Sequence, residues 1–180
     1  KFIYKLFDFI AVSHFKNELE KVIQALFENK TNKLIIFDVG CYLGFFSKNL
    51  NEILISNNLQ GKFYLFDANP NIFPTVELQN FEFFNFAMGS KVTNKKLFIN
   101  PFFSPSGTSF EKKFMNDKLW NLTRSLFTGN FNTKYLETNV EVQTIDKFSK
   151  KKNVKCDILK IDVESYELEV LNGAIKSLKN

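Results

Sequence analysis

The residues best suited to chemistry in this chain are two aspartates, each close to the end of a short apolar run. Asp38 lies within the run 34–39, and Asp67 directly follows the run 63–66. A carboxylate at the carboxyl end of a buried strand can accept hydrogen bonds from both hydroxyl groups of a ribose. We therefore predict that Asp38 and Asp67 lie on adjacent strand ends and bind a nucleoside. The alternative is that Asp38 only fixes the turn that follows and Asp67 only caps the next helix.

Two glycines follow Asp38 in the sequence DVGCYLG, residues 38–44. A strand that turns through glycines into a helix directs backbone amides at a ligand and lets it approach the main chain. Gly40 and Gly44 have the spacing G-x-x-x-G and lack the third glycine of a dinucleotide-binding turn. The predicted ligand is therefore a nucleoside without a bridging diphosphate. Cys41, inside the turn, is expected to matter for its small size more than for its sulfur.

A third acidic position is the sequence ILKIDVE, residues 158–164. Asp162 and Glu164 follow an apolar stretch that contains Lys160, at the strand end where open sheets bind substrates. A carboxylate there can take a proton from a substrate hydroxyl group or orient that group. Asp162 is therefore the first candidate catalytic residue and Glu164 the second. The alternative for Glu164 is that it only complements, with Glu167, the dipole of the following helix.

No metal site and no disulfide framework are predicted. Cys41 and Cys156 lie far apart in the chain, without CxxC spacing and without a histidine cluster. His14, the single histidine, precedes the whole α/β unit, so a role as general base is not expected.

Composition indicates one globular domain. The chain has 180 residues, of which 44% are hydrophobic, and a net charge of +5 that comes almost wholly from lysine, since Arg124 is the only arginine. Proteins that read nucleic acids favour arginine, so no nucleic-acid partner is expected. The apolar opening 1–15 carries charges and has no small-residue cleavage site, so neither a signal peptide nor a membrane span is predicted. A cytoplasmic location is expected.

Apolar runs alternate with segments of helical periodicity, which predicts an α/β fold with a mostly parallel sheet and helices on both faces. Asp146 is expected to cap a short turn. A long loop is expected at 100–110, within a wider loop region 94–130, and its Phe102, Phe103 and Phe110 are candidates to line a pocket. The expected strands are 34–39, 63–66, 81–86, 156–161 and, at a sheet edge, 140–144; the expected helices are 15–27, 45–54, one starting between Pro70 and Pro74, one within 111–127, and 168–178 interrupted by Gly173.

Five segments of the chain, taken together, resemble motifs of the FkbM family of S-adenosylmethionine-dependent methyltransferases. Its most distinctive motif, KIDVEG followed by E-x-x-V-L-x-G-A, is similar to DILKIDVESYELEVLNGA. The others are FDVGCYLG for the cofactor turn, LFDANP for the second-strand acid, NFAMGS for the third strand end, and VEVQTIDKF before the next core strand. The match runs from about 34 to 178, and the series is specific although no single piece is.

The resemblance implies a class I methyltransferase fold, which is Rossmann-like, and S-adenosylmethionine as cofactor. It assigns cofactor roles to Asp38, Gly40, Gly44 and Asp67 and suggests that Asn85 and Ala87 border the adenine. The predicted cofactor-binding set is completed by Cys41, Tyr42 and Asn69, from the same two turns.

Three positions depart from the family pattern. Tyr42 stands where a polar residue, commonly Asn, is usual, and Asp67 stands where Glu is usual. Ser165 replaces the glycine of DVEG, so the backbone there is less free to adopt an unusual conformation.

The expected organisation is an N-terminal helical cover, residues 1–33, and a methyltransferase domain, residues 34–180. Family members continue beyond the helix around Gly173 into further strands, and a buried type of strand such as 156–161 would otherwise lie at an open edge. The natural protein is therefore expected to be longer at both ends.

The predicted function is O-methylation, with S-adenosylmethionine, of a hydroxyl group on a sugar, glycan or natural-product acceptor. Catalysis would depend mostly on alignment of that hydroxyl with the methyl–sulfur bond. Two alternatives stay open: an NAD(P)-dependent oxidoreductase, which would need the missing third glycine, and a non-catalytic nucleoside-binding module, which Tyr42 and Ser165 would suit. The acceptor and the oligomeric state are not predicted.

Overall fold

The structure is a computed structural model that describes residues 16–27, 33–99, 108–110 and 136–179. Within these residues the chain forms two four-stranded sheets with helices packed against them. We number the strands β1 (Leu34–Val39), β2 (Gly61–Phe66), β3 (Phe81–Phe84), β4 (Ala87–Met88), β5 (Thr93–Ile99), β6 (Thr108–Ser109), β7 (Leu136–Gln143) and β8 (Ile158–Ile161). The helices are α1 (16–27), α2 (Phe45–Ser56), α3 (Ile145–Lys152), α4 (Glu167–Asn172) and α5 (Ile175–Lys179).

The first sheet is fully parallel, in the order β3-β2-β1-β8. Most residues of its central strands β1 and β2 are apolar and buried, as expected of strands that are covered on both faces. Asp38 is the one charged residue inside β1, and its side chain is completely buried. This mostly parallel α/β architecture is Rossmann-like and confirms the predicted fold class.

One face of this sheet is covered by α2 and α1. The helical periodicity of α2 places Leu50, Ile53 and Leu54 in a cluster with the inner residues of β1 and β2. Ile23 of α1 joins the same cluster. A surface ion pair between Lys16 and Glu52, with 2.9 Å between Nζ and Oε2, connects the two helices.

The other face is packed mainly by aromatic rings. Phe148 of α3 makes edge-to-face contacts with Phe37, Tyr64, Phe66 and Phe84, at centroid distances of 4.9 to 5.5 Å. Such contacts stabilise a core beyond the area that they bury. This layer is formed by five phenylalanines together with Tyr64: Phe37, Phe66, Phe84, Phe86 and Phe148.

The second sheet has the order β4-β7-β5-β6 and is mixed, with only β4 and β7 parallel. The prediction of an edge strand at 140–144 is wrong, because β7 begins at Leu136 and lies between β4 and β5. The prediction of loop is also wrong for β5, most of which lies within 94–130, and for β6, which lies within 100–110. The first residues of β5, TNKK, are all polar, so the alternation of apolar and polar residues that is typical of a strand does not show in the sequence. Leu97 and Ile99 are buried in the core of this sheet.

No helix forms between β2 and β3, contrary to the prediction around Pro70 and Pro74; residues 67–80 are turns, bends and irregular chain. The Asp67 carboxylate accepts a hydrogen bond from the Asn69 amide, and the Asn69 side chain accepts one from the Asn71 amide. These local bonds give the backbone an alternative to helical hydrogen bonding.

The C-terminal helix is divided at Gly173, as the sequence predicts, but its buried side differs from the predicted stripe. Val170 and Ala174 are buried, whereas Leu168, Leu171, Ile175 and Leu178 are exposed. A Cβ on Gly173 would lie 2.0 Å from the Gly89 carbonyl oxygen, so α4 packs here against backbone.

The predicted role of Asp146 in capping its own turn is wrong. Thr144 caps α3 by accepting from the Lys147 amide, and the Asp146 carboxylate accepts from the Lys176 and Ser177 amides at the start of α5. The predicted helix within 111–127, His14, Phe102 and Phe103 lie outside the described residues. No described helix is long and apolar enough to span a membrane.

Candidate active site

Three turns meet at the carboxyl edge of the first sheet. Val39 is in register with Phe66 on one side and with Ile161 on the other. The segments that leave these three strands, 40–44, 67–69 and 162–166, are therefore neighbours. This arrangement confirms that Asp38 and Asp67 lie near adjacent strand ends.

Asp38 forms a buried ion pair with Lys160. Lys160 Nζ lies 3.0 Å from Asp38 Oδ1, while Asp38 Oδ2 accepts a hydrogen bond of 2.7 Å from the Ser47 hydroxyl. The same ammonium group donates to the Gly40 carbonyl at 2.7 Å and lies 3.8 Å from an Asp162 oxygen. Asp38 Oδ2 is thus hydrogen-bonded within the protein, while Asp38 Oδ1 is ion-paired but accepts no hydrogen bond, and Asp38 fixes the glycine turn through Lys160.

The glycine turn needs glycine at both predicted positions. Gly40 has φ 73° and Gly44 has φ 88°, in the left-handed region that glycine adopts without strain. A Cβ on Gly40 would lie 1.8 Å from the Asp162 carbonyl oxygen, and one on Gly44 would lie 2.7 Å from Val76 Cγ2. Gly40 is thus packed directly against the backbone of the segment 162–166, which we call the acidic loop.

Between the glycines, Cys41 is buried and Tyr42 is half-buried. Burial and the neighbouring Asp38 and Asp67 raise the pKa of the Cys41 thiol far above its usual range, so it stays protonated. This agrees with the expectation that its size matters more than its sulfur. Tyr42 has φ 50°, in the left-handed region, where any residue with a Cβ atom is strained.

Asp67 joins the second turn to the first. Its carboxylate accepts from the Tyr42 amide at 3.0 Å and from the Asn69 amide at 2.9 Å. Burial raises the pKa of Asp67, while these two hydrogen bonds act in the opposite direction. Asn69 is buried, and the exposed Asn85 donates to the carbonyl oxygens of Asp67 and Asn69. Asn69 and Asn85 therefore fix the chain around Asp67.

Ala87 borders this turn from the second sheet. It is buried in the apolar cluster that contains Leu97 and Val142, and Ala68 packs against the same cluster. Ala68, which follows Asp67, therefore lies beside the apolar core of the second sheet.

The two candidate catalytic acids differ in environment. The Asp162 side chain is 72% exposed. Glu164 has φ 49°, and burial, with the negative charges of Asp162 and Glu167, raises its pKa. A base whose pKa is raised toward neutrality is better matched to proton transfer near pH 7.

The sequence did not predict the role of Glu167. Its Oε1 atom accepts hydrogen bonds from the amides of Val163 and Ser165, at 3.2 and 3.3 Å, and so closes the acidic loop. Ser165, in place of the family's glycine, takes φ 71°. The available signal was the acid at the start of α4, since acidic side chains are favoured in the first turn of a helix.

The site is predominantly acidic. Asp67, Asp162 and Glu164 surround the turn, and Lys160 is already paired with Asp38. Among the residues that the structure describes, no cluster of histidine, cysteine and acidic residues is arranged to hold a metal ion. A negative potential of this kind attracts a cationic ligand.

A model of the methyltransferase FkbM domain matches residues 38–180, which is most of the chain and includes all three turns. No curated protein and no solved structure matches the chain.

Proposed function

Because the chain belongs to the FkbM methyltransferase family, we propose that it methylates a hydroxyl group of a sugar, glycan or natural-product acceptor with S-adenosylmethionine. The family membership makes it a methyltransferase, and the cofactor, the acceptor and transfer to oxygen are our proposal. The observation that carries the proposal is the position of the Asp67 carboxylate, which accepts a hydrogen bond from the Tyr42 amide in the glycine turn. We also propose that the N-terminal segment 1–33 is a helical cover of the domain 34–180. Within the described part of this segment, the burial of Ile23 in α1 supports the proposal.

The residues at the strand ends fit S-adenosylmethionine. Each Asp67 oxygen accepts one backbone hydrogen bond in the structure, and a carboxylate can accept about four. Two positions therefore remain for the ribose hydroxyls. Gly40 and Gly44 hold the turn beside Asp67, and the surrounding acids complement a sulfonium cation. When bound, S-adenosylmethionine supplies an activated methyl group.

For proton transfer we propose Glu164 ahead of Asp162. A carboxylate with a raised pKa is a stronger base and accepts a hydroxyl proton more readily. Asp162, next to Lys160 and the Gly40 turn, would orient the hydroxyl. Glu164 would hold the transferred proton on a carboxylate oxygen until solvent removes it.

The test is calorimetry of S-adenosylmethionine binding to the wild type and to Asp67→Ala. Loss of charge-assisted hydrogen bonds to the ribose should weaken affinity by about tenfold or more. Asp146→Ala is the matched control, because Asp146 binds amides of α5 away from this edge of the sheet. Unchanged affinity in Asp67→Ala would refute the ribose assignment, and absence of binding by the wild type would refute the cofactor.

A further inference from the structure

A lysine and two aromatic rings form a cluster beside the acidic loop. Lys95 Nζ donates to the Tyr166 hydroxyl at 3.2 Å and lies over the rings of Tyr166 and Phe110, at 4.3 and 5.0 Å from their centroids. The two rings contact each other, with 4.7 Å between their centroids. We call Lys95, Phe110 and Tyr166 the Lys95 cluster.

Lys95 is half-buried, yet no carboxylate of the described residues lies within ion-pair distance of it. The neighbouring Lys96, by contrast, pairs with Glu137 at 3.2 Å. Removing an ammonium group partly from water costs free energy, and cation–π contacts offset only some of that cost. An ammonium group has three donors, and one of those on Lys95 bonds to Tyr166. The other two have no partner among the residues that the structure describes, and we assign them to an anion.

The cluster lies next to the proposed base. Ser109, the neighbour of Phe110, donates a hydrogen bond of 3.5 Å from its hydroxyl to the Glu164 carbonyl. Tyr166 follows Glu164 by two residues along the same loop. Alternation along β5 puts Lys95 on the same face as Leu97, which packs in the cluster that borders Ala68. The site therefore has an acidic side at the strand ends and a basic side on the second sheet.

We propose that the Lys95 cluster is an acceptor subsite that binds a carboxylate or phosphate group of the acceptor. This inference rests on the proposed function and narrows its acceptor to an anionic sugar or a similar anionic hydroxyl compound. The anion would bind Lys95, and the rings of Phe110 and Tyr166 would pack against the apolar face of the sugar. The anion would thus be kept away from the acids, and a hydroxyl group of the same molecule would face Glu164.

The test compares glucose, glucuronate and glucose 6-phosphate, which differ only at C6. Binding to the full chain is measured by calorimetry in the presence of S-adenosylhomocysteine. We expect at least one anionic sugar to bind about tenfold more tightly than glucose. Comparison of glucuronate with glucose 6-phosphate shows whether the subsite prefers a carboxylate or a phosphate group. Lys95→Met should abolish the preference and Lys95→Arg should retain it. Lys96→Met removes the same charge one residue away and should leave the preference unchanged.

The inference is overturned if the three sugars bind equally, if neither anionic sugar binds, or if Lys95→Met keeps the preference. It is also overturned if Lys96→Met removes the preference to the same extent, since that would indicate general attraction by surface charge. Thermal denaturation of each variant checks that it is folded. If Lys95→Met is not folded, the test uses Lys95→Arg, which should keep the preference for the anionic sugar. Titration of a second sample, free of S-adenosylhomocysteine, with S-adenosylmethionine tests the proposed function separately.

Discussion

Asp38 and Lys160 are opposite each other in the register of β1 and β8, and their side chains form a buried ion pair of 3.0 Å. The Asp38 side chain has no exposed surface. Because Lys160 also donates to the Gly40 carbonyl, one ammonium group connects the strand that precedes the acidic loop to the glycine turn. A buried charge of this kind is stable only with its partner.

Lys160→Met should lower the free energy of unfolding by about 3–5 kcal/mol, because it leaves the Asp38 carboxylate buried without a counter-ion. Urea denaturation measures the loss. The control is Lys16→Met, which breaks an exposed pair and should cost less than about 1 kcal/mol. Asp38→Asn in the Lys160→Met background should recover part of the stability. Equal stability of the two lysine variants would contradict the role given to the buried pair.

Glu164 should produce the acidic limb of the pH profile of kcat/KM. Because burial raises its pKa, activity should increase with pH through a midpoint above the ordinary glutamate value of about 4.3, as the carboxylate becomes able to accept a proton. Glu164→Gln should lower kcat by about 10²–10⁴-fold and remove this limb. Asp162→Asn should keep it. A limb that disappears in Asp162→Asn and persists in Glu164→Gln would reverse the two roles.

Glu167→Gln should move the same limb to lower pH. The negative charge of Glu167 raises the pKa of Glu164, and glutamine removes that charge while keeping an oxygen that can accept from the Val163 and Ser165 amides. Glu167→Ala removes the oxygen as well and should lower kcat, because the loop loses both hydrogen bonds. The pH dependence of kcat/KM for both variants is the measurement, and a limb that moves to higher pH in Glu167→Gln would contradict the assignment.

Ser165→Gly should stabilise the protein by about 0.5–1 kcal/mol. Ser165 has φ 71°, where a Cβ costs about 1–2 kcal/mol, and part of that gain is offset by the greater entropy of glycine in the unfolded chain. Thermal or urea denaturation gives the difference. Ser149→Gly, inside α3, is the control and should be destabilising, since its backbone is helical. A Ser165→Gly variant less stable than wild type would mean that the serine side chain itself stabilises the loop.

Much of the first sheet could be predicted because its signals are local. The apolar runs of β1, β2 and β8 carry their own periodicity, and the acids and glycines at their ends identify the carboxyl edge. The wrong predictions occurred where a side chain changed the backbone or where polarity hid a strand. Asp67 and Asn69 bond to nearby amides and replace a helix with turns. The lysines of β5 obscured its buried face.

The sequence by itself determined the family, the order of strands and helices around the site, and the three turns that carry its acids. Only the tertiary structure decided what those side chains contact. Lys160 and Gly40 are 120 positions apart, and Lys95 and Tyr166 are 71 apart. Such pairs depend on strand register and on how the two sheets pack, which are set by the burial of the whole core and not by any local pattern of residues.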